Sequence, residues 1–203
     1  MVNMRDVAAH AGVSVATVSN FLNSPEIVAE ATRTKVRAAI EATGYAPNEA
    51  ARQLKSGRSR MVAFVALELD NAYVSAVIAG LEQRAAEHGL FVSIICTNGD
   101  LEREARYLRM LVQQRVYGVL LASGHTRGGE LEMLRSNNVP TVLIDDPAAN
   151  GDFPSVSVDD RVGGRLAASH LLESGARRIC FVGDASDTFQ VAERLQGARE
   201  AII

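Results

Sequence analysis

Residues 14–23 read Ser14-Val15-Ala16-Thr17-Val18-Ser19-Asn20-Phe21-Leu22-Asn23. Ser14, Thr17, Ser19 and Asn23 carry hydroxyls and an amide that can hydrogen-bond phosphates or bases, and the amide of Asn20 can read a base edge. Val15 and Ala16 are small and apolar, suited to a thymine methyl. This is the chemistry of recognition rather than of catalysis. It requires a helix whose N-terminal turn enters the major groove of DNA. A solvated helix face can carry the same residue types one by one, so the ordered set means most when a suitable frame holds it.

The neighbouring sequence supplies such a frame. Asn3 can cap a helix whose apolar face is Met4, Val7, Ala8 and Ala11, at spacings of three and four, with Gly12 as its stop. Ser14 then caps a second helix with Val15, Val18, Phe21 and Leu22 as its apolar positions. Helix, tight Gly-containing turn and helix make a helix-turn-helix, and the short side chains of Ala8, Ala9 and Ala11 let the two helices cross closely. Asn23-Ser24-Pro25 makes a turn. A third helix is expected over roughly residues 30–43, with Val36, Ala39 and Ile40 facing inward, Gly44 ending it and Pro47 following. Three helices in about 45 residues enclose a very small core, so this head is marginal alone.

Charge is unevenly distributed. Residues 1–60 hold 8 Lys+Arg against 5 Asp+Glu, and residues 61–203 hold 13 against 19, so the net charge of −3 hides a basic head on an acidic body. The excess in the head is small and gains meaning only beside a nucleic-acid fold. The chain has 203 residues, 47% of them hydrophobic and 22% charged, a globular composition for one or two domains. No stretch approaches the roughly 20 apolar residues of a membrane span. Met1-Val2-Asn3-Met4-Arg5-Asp6 brings an early acid with no apolar run behind it, so no secretory signal is expected and the protein is read as cytoplasmic. Cys96 and Cys180 lie in apolar runs far apart and are read as reduced core cysteines, and the four scattered histidines form no zinc pattern. Gly-x-Gly-x-x-Gly after a strand, Gly-x-x-x-x-Gly-Lys and Gly-x-Ser-x-Gly are all absent, so neither a cofactor nor an enzymatic activity is expected.

The run Asp6–Asn23, together with Thr32-Arg33, Gly44-Tyr45-Ala46-Pro47-Asn48 and Ala50-Ala51-Arg52, closely resembles the head of the lactose-repressor (LacI/GalR) family of bacterial transcription factors. The resemblance places Asn3, Ser14, Val15, Ala16, Thr17, Ser19, Asn20, Asn23, Tyr45 and Asn48 in the DNA-facing set. Residues 48–57 are good helix formers ending in Gly57, too short for a stable isolated helix. In the family this hinge folds only on operator, paired with its twin in the minor groove. Leu54 matches the apolar wedge that unstacks the central base step, while Arg52 and Lys55 would meet phosphates or the groove floor. A plain linker accounts for Ser56-Gly57-Arg58-Ser59 but leaves Leu54 exposed without reason. Two positions depart from the pattern. Ala29 stands where a capping Ser is usual, which removes a cap worth ~1 kcal/mol. Position 20 is Asn rather than the frequent Arg or His, which leaves the operator sequence open in detail.

Beyond residue 60, apolar runs alternate with helical patterns. Strands are expected over residues 61–69, 91–96, 118–122, 140–144, 155–158 and 178–182. Helices are expected over residues 74–88, 101–114, 129–137, 160–174 and from 193 onward. Strand–helix alternation implies a parallel α/β sheet with right-handed crossovers. Ligands of such sheets bind outside the carboxyl ends of the strands. The polar residues there are Asp70, Asn71 and Tyr73; Thr97, Asn98 and Asp100; Ser123, Gly124 and His125; Asp145 and Asp146; and Asp159 and Asp160. Carboxylates, amides and an aromatic plate suit a neutral polyhydroxyl ligand such as a sugar or nucleoside. Asp100 and Asp160 also read as helix caps and Asn71 as a turn former, whereas Tyr73 and Asp145 are the stronger ligand contacts.

The family resemblance continues through this body. Asp70-Asn71-Ala72-Tyr73-Val74 is similar to the family's Asn-Pro-Phe-Phe loop, Asp145 matches an effector contact, and Val158-Asp159-Asp160, Gly163-Gly164 and Arg194-Leu195-Gln196-Gly197 match the second subdomain. Asn71, Tyr73, Ser123 and Asp145 are the expected effector contacts. The resemblance implies a periplasmic-binding-protein-like body of two α/β subdomains with the ligand between them. Two departures weigh against an ordinary sugar effector: Ala72 replaces a Pro, and Ala192 replaces the common ligand-clamping Arg. Family members run on for well over a hundred further residues, so the second subdomain is read as incomplete, with core exposed. The expected domains are a helix-turn-helix head over 1–46, a hinge over 47–60, a first effector subdomain over 61–150 and the start of a second over 151–203. The expected function is a dimeric repressor on a pseudo-palindromic operator, controlled by a small polar effector and without membrane contact. A small-molecule binding protein, or a general DNA binder without effector control, is the alternative.

Overall fold

The computed structural model describes residues 2–47, 52–53, 57–122, 129–146, 153–183 and 189–202. The chain divides into two compact units, Met1–Lys55 and Ser56–Ile203.

The first unit contains α1 (Met4–Ala11), α2 (Val15–Asn23), a 3-10 turn over Pro25–Ile27 and α3 (Glu30–Thr43). Local chemistry sets each boundary. Asn3 Oδ1 accepts from the Arg5 and Asp6 backbone N–H groups at 2.8 and 3.4 Å, and Asp6 Oδ2 accepts from the Asn3 N–H at 2.8 Å, which completes a capping box. Gly12 and Gly44 end α1 and α3 in the left-handed region, at φ 65° and 64°, where a Cβ would be strained. Ala29 precedes α3 with no side-chain cap, as its methyl dictates. Val7, Val18 and Val36 are fully buried and meet Ala8 and Ala39 in the core, with Phe21, Leu22 and Tyr45 packed around them. Val15 is a correction to the apolar face expected of the second helix. It is 41% exposed, since it occupies the first turn on the outward side.

The second unit is built on a five-stranded parallel sheet in the order β2-β1-β3-β4-β5. Its strands are β1 (Met61–Ala66), β2 (Phe91–Cys96), β3 (Gly118–Ala122), β4 (Thr141–Ile144) and β5 (Ser155–Val156). The helices α4 (Ala72–Glu87), α5 (Leu101–Gln113), α6 (Gly129–Ser136), α7 (Asp160–Glu173) and α8 (Phe189–Ile202) follow in chain order among the described residues. Both faces of the sheet are covered, which is why β1 reads as an unbroken apolar run. Ala63 and Val65 pack on one side with Leu108 and Leu111 of α5 and Leu134 of α6. Phe64 and Ala66 pack on the other with Val74, Val77, Ile78 and Leu81 of α4. The register Val62↔Gly118 and Ala66↔Ala122 aligns the strand ends, so the loops after β1 and β3 leave at the same level.

Two expectations for the second half are corrected. Residues 178–182 form no strand: no ladder partner lies beside them among the described residues, so their apolar pattern has nothing to pair with. Val182 is 88% exposed there, and Cys180, expected in the core, is exposed and free, while Cys96 is half-buried. The strand expected over 155–158 pairs with β4 only through Ser155 and Val156.

α7 and α8 cross at two glycines. A Cβ built on Gly164 would fall on the carbonyl oxygen of Arg194, and one on Gly197 on that of Arg161. The absent side chains let the two backbones approach. Ion pairs then staple the crossing. Arg194 Nε meets Oδ1 of the buried Asp160 at 2.6 Å, and Arg161 Nε meets Glu200 Oε1 and Oε2 at 3.0 and 3.2 Å.

Candidate nucleic-acid interface and ligand cavity

In the head, α2 presents its polar residues in two states. Several are already engaged. Ser14 Oγ caps the helix by accepting from the Thr17 N–H at 3.1 Å and lies 2.9 Å from Thr17 Oγ1, while Asn23 Nδ2 donates to the Ser19 carbonyl at 2.7 Å. These side chains hold α2 in shape. Asn20 is exposed, and no partner holds its amide among the described residues. Beside it the turn exposes Val15 and Ala16. Asn3 is occupied in its capping box and Tyr45 packs on the head core, so both act first as framework. Arg52 is described and helical. Asn48, Leu54 and Lys55 lie outside the described residues.

In the second unit, a cavity of about 450 Å³ opens at the carboxyl ends of β1, β3 and β4, within the size range of small-molecule sites. Tyr73, Asp145, Asp146 and Asn71 line it, joined by Glu68, Phe189, Gln190 and Arg194. Asn71 Oδ1 accepts from the Tyr73 N–H at 2.8 Å and caps α4, which fixes where Tyr73 begins the helix. Asp145 is the node of the site. It sits just past β4 at φ 55°, a left-handed conformation that Asp tolerates better than most residues. Its N–H donates to the Val156 carbonyl at 2.9 Å, its carbonyl accepts from Gln190 Nε2 at 2.6 Å, and its carboxylate accepts from the Val158 N–H at 3.4 Å.

Tyr73 is 41% exposed and lines the cavity. Loss of water there, then the neighbouring Asp145 carboxylate, then the negative charge of Asp160 push the phenol up to about 12; Arg194 pulls the other way. The site therefore combines a flat aromatic face, carboxylate and amide acceptors, and one guanidinium already paired with Asp160.

Of the other strand-end residues, Asp100 Oδ1 caps α5 through the Arg103 N–H at 2.9 Å, and that bond holds its carboxyl below the usual range. Asp159, rather than Asp160, caps α7, and Asp160 is instead the buried partner of Arg194. Thr97 is buried against the Ala66 carbonyl, and Asn98 faces Cys96 Sγ at 2.9 Å. Ser123, Gly124 and His125 lie outside the described residues. Arg194, Gln190 and Phe189 were not among the expected contacts. They reach the cavity from α8, which packs on α7, so strand-end position gave no sign of them. The Arg194-Leu195-Gln196-Gly197 motif was the available signal, since the glycine that permits the crossing lies three residues after the arginine.

Among the described residues, no cluster of His, Cys, Asp and Glu could hold a metal ion, and no helix is long and apolar enough to cross a membrane.

Two family models match the chain: bacterial regulatory proteins of the lacI family over residues 3–48, and periplasmic binding proteins and sugar binding domain of the LacI family over residues 59–203. The ribose operon repressor of Escherichia coli (strain K12) is 35% identical over the whole chain, which spans 62% of that relative's length. Among solved structures, a lac repressor dimer bound to operator and the anti-inducer ONPF is 26% identical with a TM-score of 0.80, covering 99% of this chain and 61% of its own. A transcriptional regulator CelR–cellobiose complex is 31% identical with a TM-score of 0.61, covering 100% of this chain and 61% of its own. Together the two models cover the helix-turn-helix head and most of the parallel α/β body, and the chain belongs to the LacI family of bacterial regulatory proteins.

Proposed function

We propose that the protein is a sequence-specific DNA-binding repressor that binds a pseudo-palindromic operator as a dimer, with its affinity set by a small polar effector. The observation that carries this reading is the Asn20 amide, exposed and without a partner among the described residues, on a helix whose other polar residues hold its shape. One head makes few base contacts, so two half-sites are needed for useful specificity. Asn3, Ser14, Val15, Ala16, Thr17, Ser19, Asn23, Tyr45 and Asn48 complete the proposed DNA-facing set, with Arg52, Leu54 and Lys55 in the hinge. The proposed division remains a head over 1–46, a hinge over 47–60 and effector subdomains over 61–150 and 151–203.

The effector is proposed to occupy the cavity around Tyr73 and Asp145, with Asn71 and Ser123 as further contacts and Arg194 added. A neutral polyol, such as a sugar or nucleoside, fits best. Arg194 is already matched by Asp160, and the other charged lining residues among those described are carboxylates, so a phosphorylated ligand would find no unopposed cation there. The names of the ribose operon repressor and the CelR–cellobiose complex support the sugar class.

The test is a selection from a random-sequence duplex pool. Enrichment of a two-fold symmetric motif is expected, and a pool that emerges unenriched would reject the reading.

A further inference from the structure

Strands β1–β4 run parallel, so their connecting loops fall into two sets, one at each end of the sheet. Among the described residues, the loops where the strands finish (67–71, 97–100 and 145–146) carry Glu68, Asp70, Asp100, Asp145 and Asp146, with no Lys or Arg. The loops where the strands begin (57–60, 88–90, 114–117 and 137–140) carry Arg58, Arg60 and Arg115, with no carboxylate. The acidic body is thus polarised, and its basic end is the one where the chain arrives from the head.

Helix dipoles account for part of this. α4, α5 and α6 run back along the sheet, so their negative C-termini lie at the basic end and favour cations there. Arg84 and Arg135 serve that role, each also paired with a glutamate of its own helix, Glu87 at 2.5 Å and Glu132 at 2.9 Å. Arg115 lies just past the end of α5 and Arg109 one residue before its last turn, so neither is a last-turn cation of that kind. Both are exposed, and neither has an ion-pair or side-chain hydrogen-bond partner among the described residues.

Arg115 also adopts φ 48°, whereas the other non-glycine residues in that region, Asn98, Asn138 and Asp145, are of types that tolerate it. A glycine would end α5 there without steric cost. The Arg115 carbonyl accepts from the Ser59 N–H at 2.9 Å, which fixes this residue against the segment where the chain enters the body.

We propose that this end of the body is a second, sequence-independent DNA contact, in which Arg109 and Arg115 meet backbone phosphates flanking the half-site read by the head. The proposal rests on the DNA-binding function proposed above. A polyanion is the complementary partner for such a surface. DNA is favoured over an acidic protein because the same chain carries the proposed DNA-binding head, and the link from Pro47 to Gly57, at most about 36 Å fully extended, limits how far the body can lie from a duplex held there.

The experiment measures binding of the 203-residue chain to a random-sequence duplex of about 40 base pairs, as the slope of log affinity against log salt concentration. Losing two phosphate contacts per protomer in R109Q/R115Q should flatten the slope by about two for each protomer bound, about four for a dimer, and R109K/R115K should retain the parent slope because a point charge suffices. Equal thermal midpoints establish that the variants are folded. A double Gln variant with the parent slope overturns the proposal and leaves the surface to an acidic protein. A Lys variant as flat as the Gln variant also overturns it, because charge would not be the cause. If the parent binds no duplex at all, the DNA-binding reading falls together with this one, whereas a parent that binds with an unaltered slope in the variants defeats this one alone.

Discussion

Asn20 is exposed on α2 with its amide held by no partner among the described residues, while Ser14, Thr17 and Asn23 spend their polar atoms on caps and helix bonds. An amide with both donor and acceptor suits adenine, whereas a guanidinium reaches guanine O6 and N7. Asn20→Arg should therefore move the preference toward guanine at one symmetric position per half-site, read by repeating the duplex selection. An unchanged motif would mean that α2 is not the reader. Tyr73 offers a second test at this scale. Its phenol is pushed up to about 12 first by lost water and then by Asp145. Asp145→Asn should bring it down but leave it above 10, because burial remains. Ultraviolet titration of tyrosinate, with Tyr73→Phe to identify the signal among four tyrosines, checks this. The sign for stability follows. The proton is held more tightly in the folded state, so the contribution is fully present below pH 10 and is lost as pH rises through about 12. A Tyr73 that titrates identically in the Asn variant would break the proposed pair.

At the scale of elements, the α7–α8 crossing makes a sharp contrast between adjacent glycines. Gly164 is buried against the Arg194 carbonyl, whereas Gly163 has open space around its missing Cβ. Gly163→Ala should stabilise by roughly 0.5–1 kcal/mol through helix propensity. Gly164→Ala must push the helices apart and should destabilise by about 1–3 kcal/mol or more. Thermal denaturation of the two variants decides, and equal midpoints would mean that the helices do not pack at this point. The same contrast explains what the sequence reveals. The capped ends at Asn3, Ser14 and Asp100 were legible because capping and helical period are local signals, and the place of Tyr73 and Asp145 beside the cavity was legible because the cavity opens at the strand ends they follow. Arg194 and Gln190 were not, because their place depends on how closely two helices cross. Residues 178–182 have the composition of a strand, but a strand exists only beside a partner, and composition does not reveal whether one is present.

For the molecule as a whole, the residues proposed to read DNA belong to one compact unit and the cavity to the other. Effector control then requires two conformational states that the ligand and the DNA bind unequally, and the coupling must be reciprocal: whatever factor the effector applies to DNA affinity, DNA applies to effector affinity. Asp145 is the residue best placed to separate recognition from response. It lies beside Tyr73 on α4 and bonds Val158 after β5 and Gln190 on α8, so it joins the elements around the cavity. A neutral polyol buried there needs its hydroxyls paired, at ~1–3 kcal/mol for each one left unsatisfied. Asp145→Ala should therefore abolish the thermal shift given by any responsive member of a panel of neutral pentoses, hexoses and nucleosides. Affinity for the selected duplex without ligand should remain at the parent value. In the parent, saturating duplex should change the affinity for the same ligand by the factor that the ligand imposes on the duplex. A variant that retains the ligand shift would remove Asp145 from the site. One that loses DNA affinity along with the shift would show that the residue holds the fold rather than the effector.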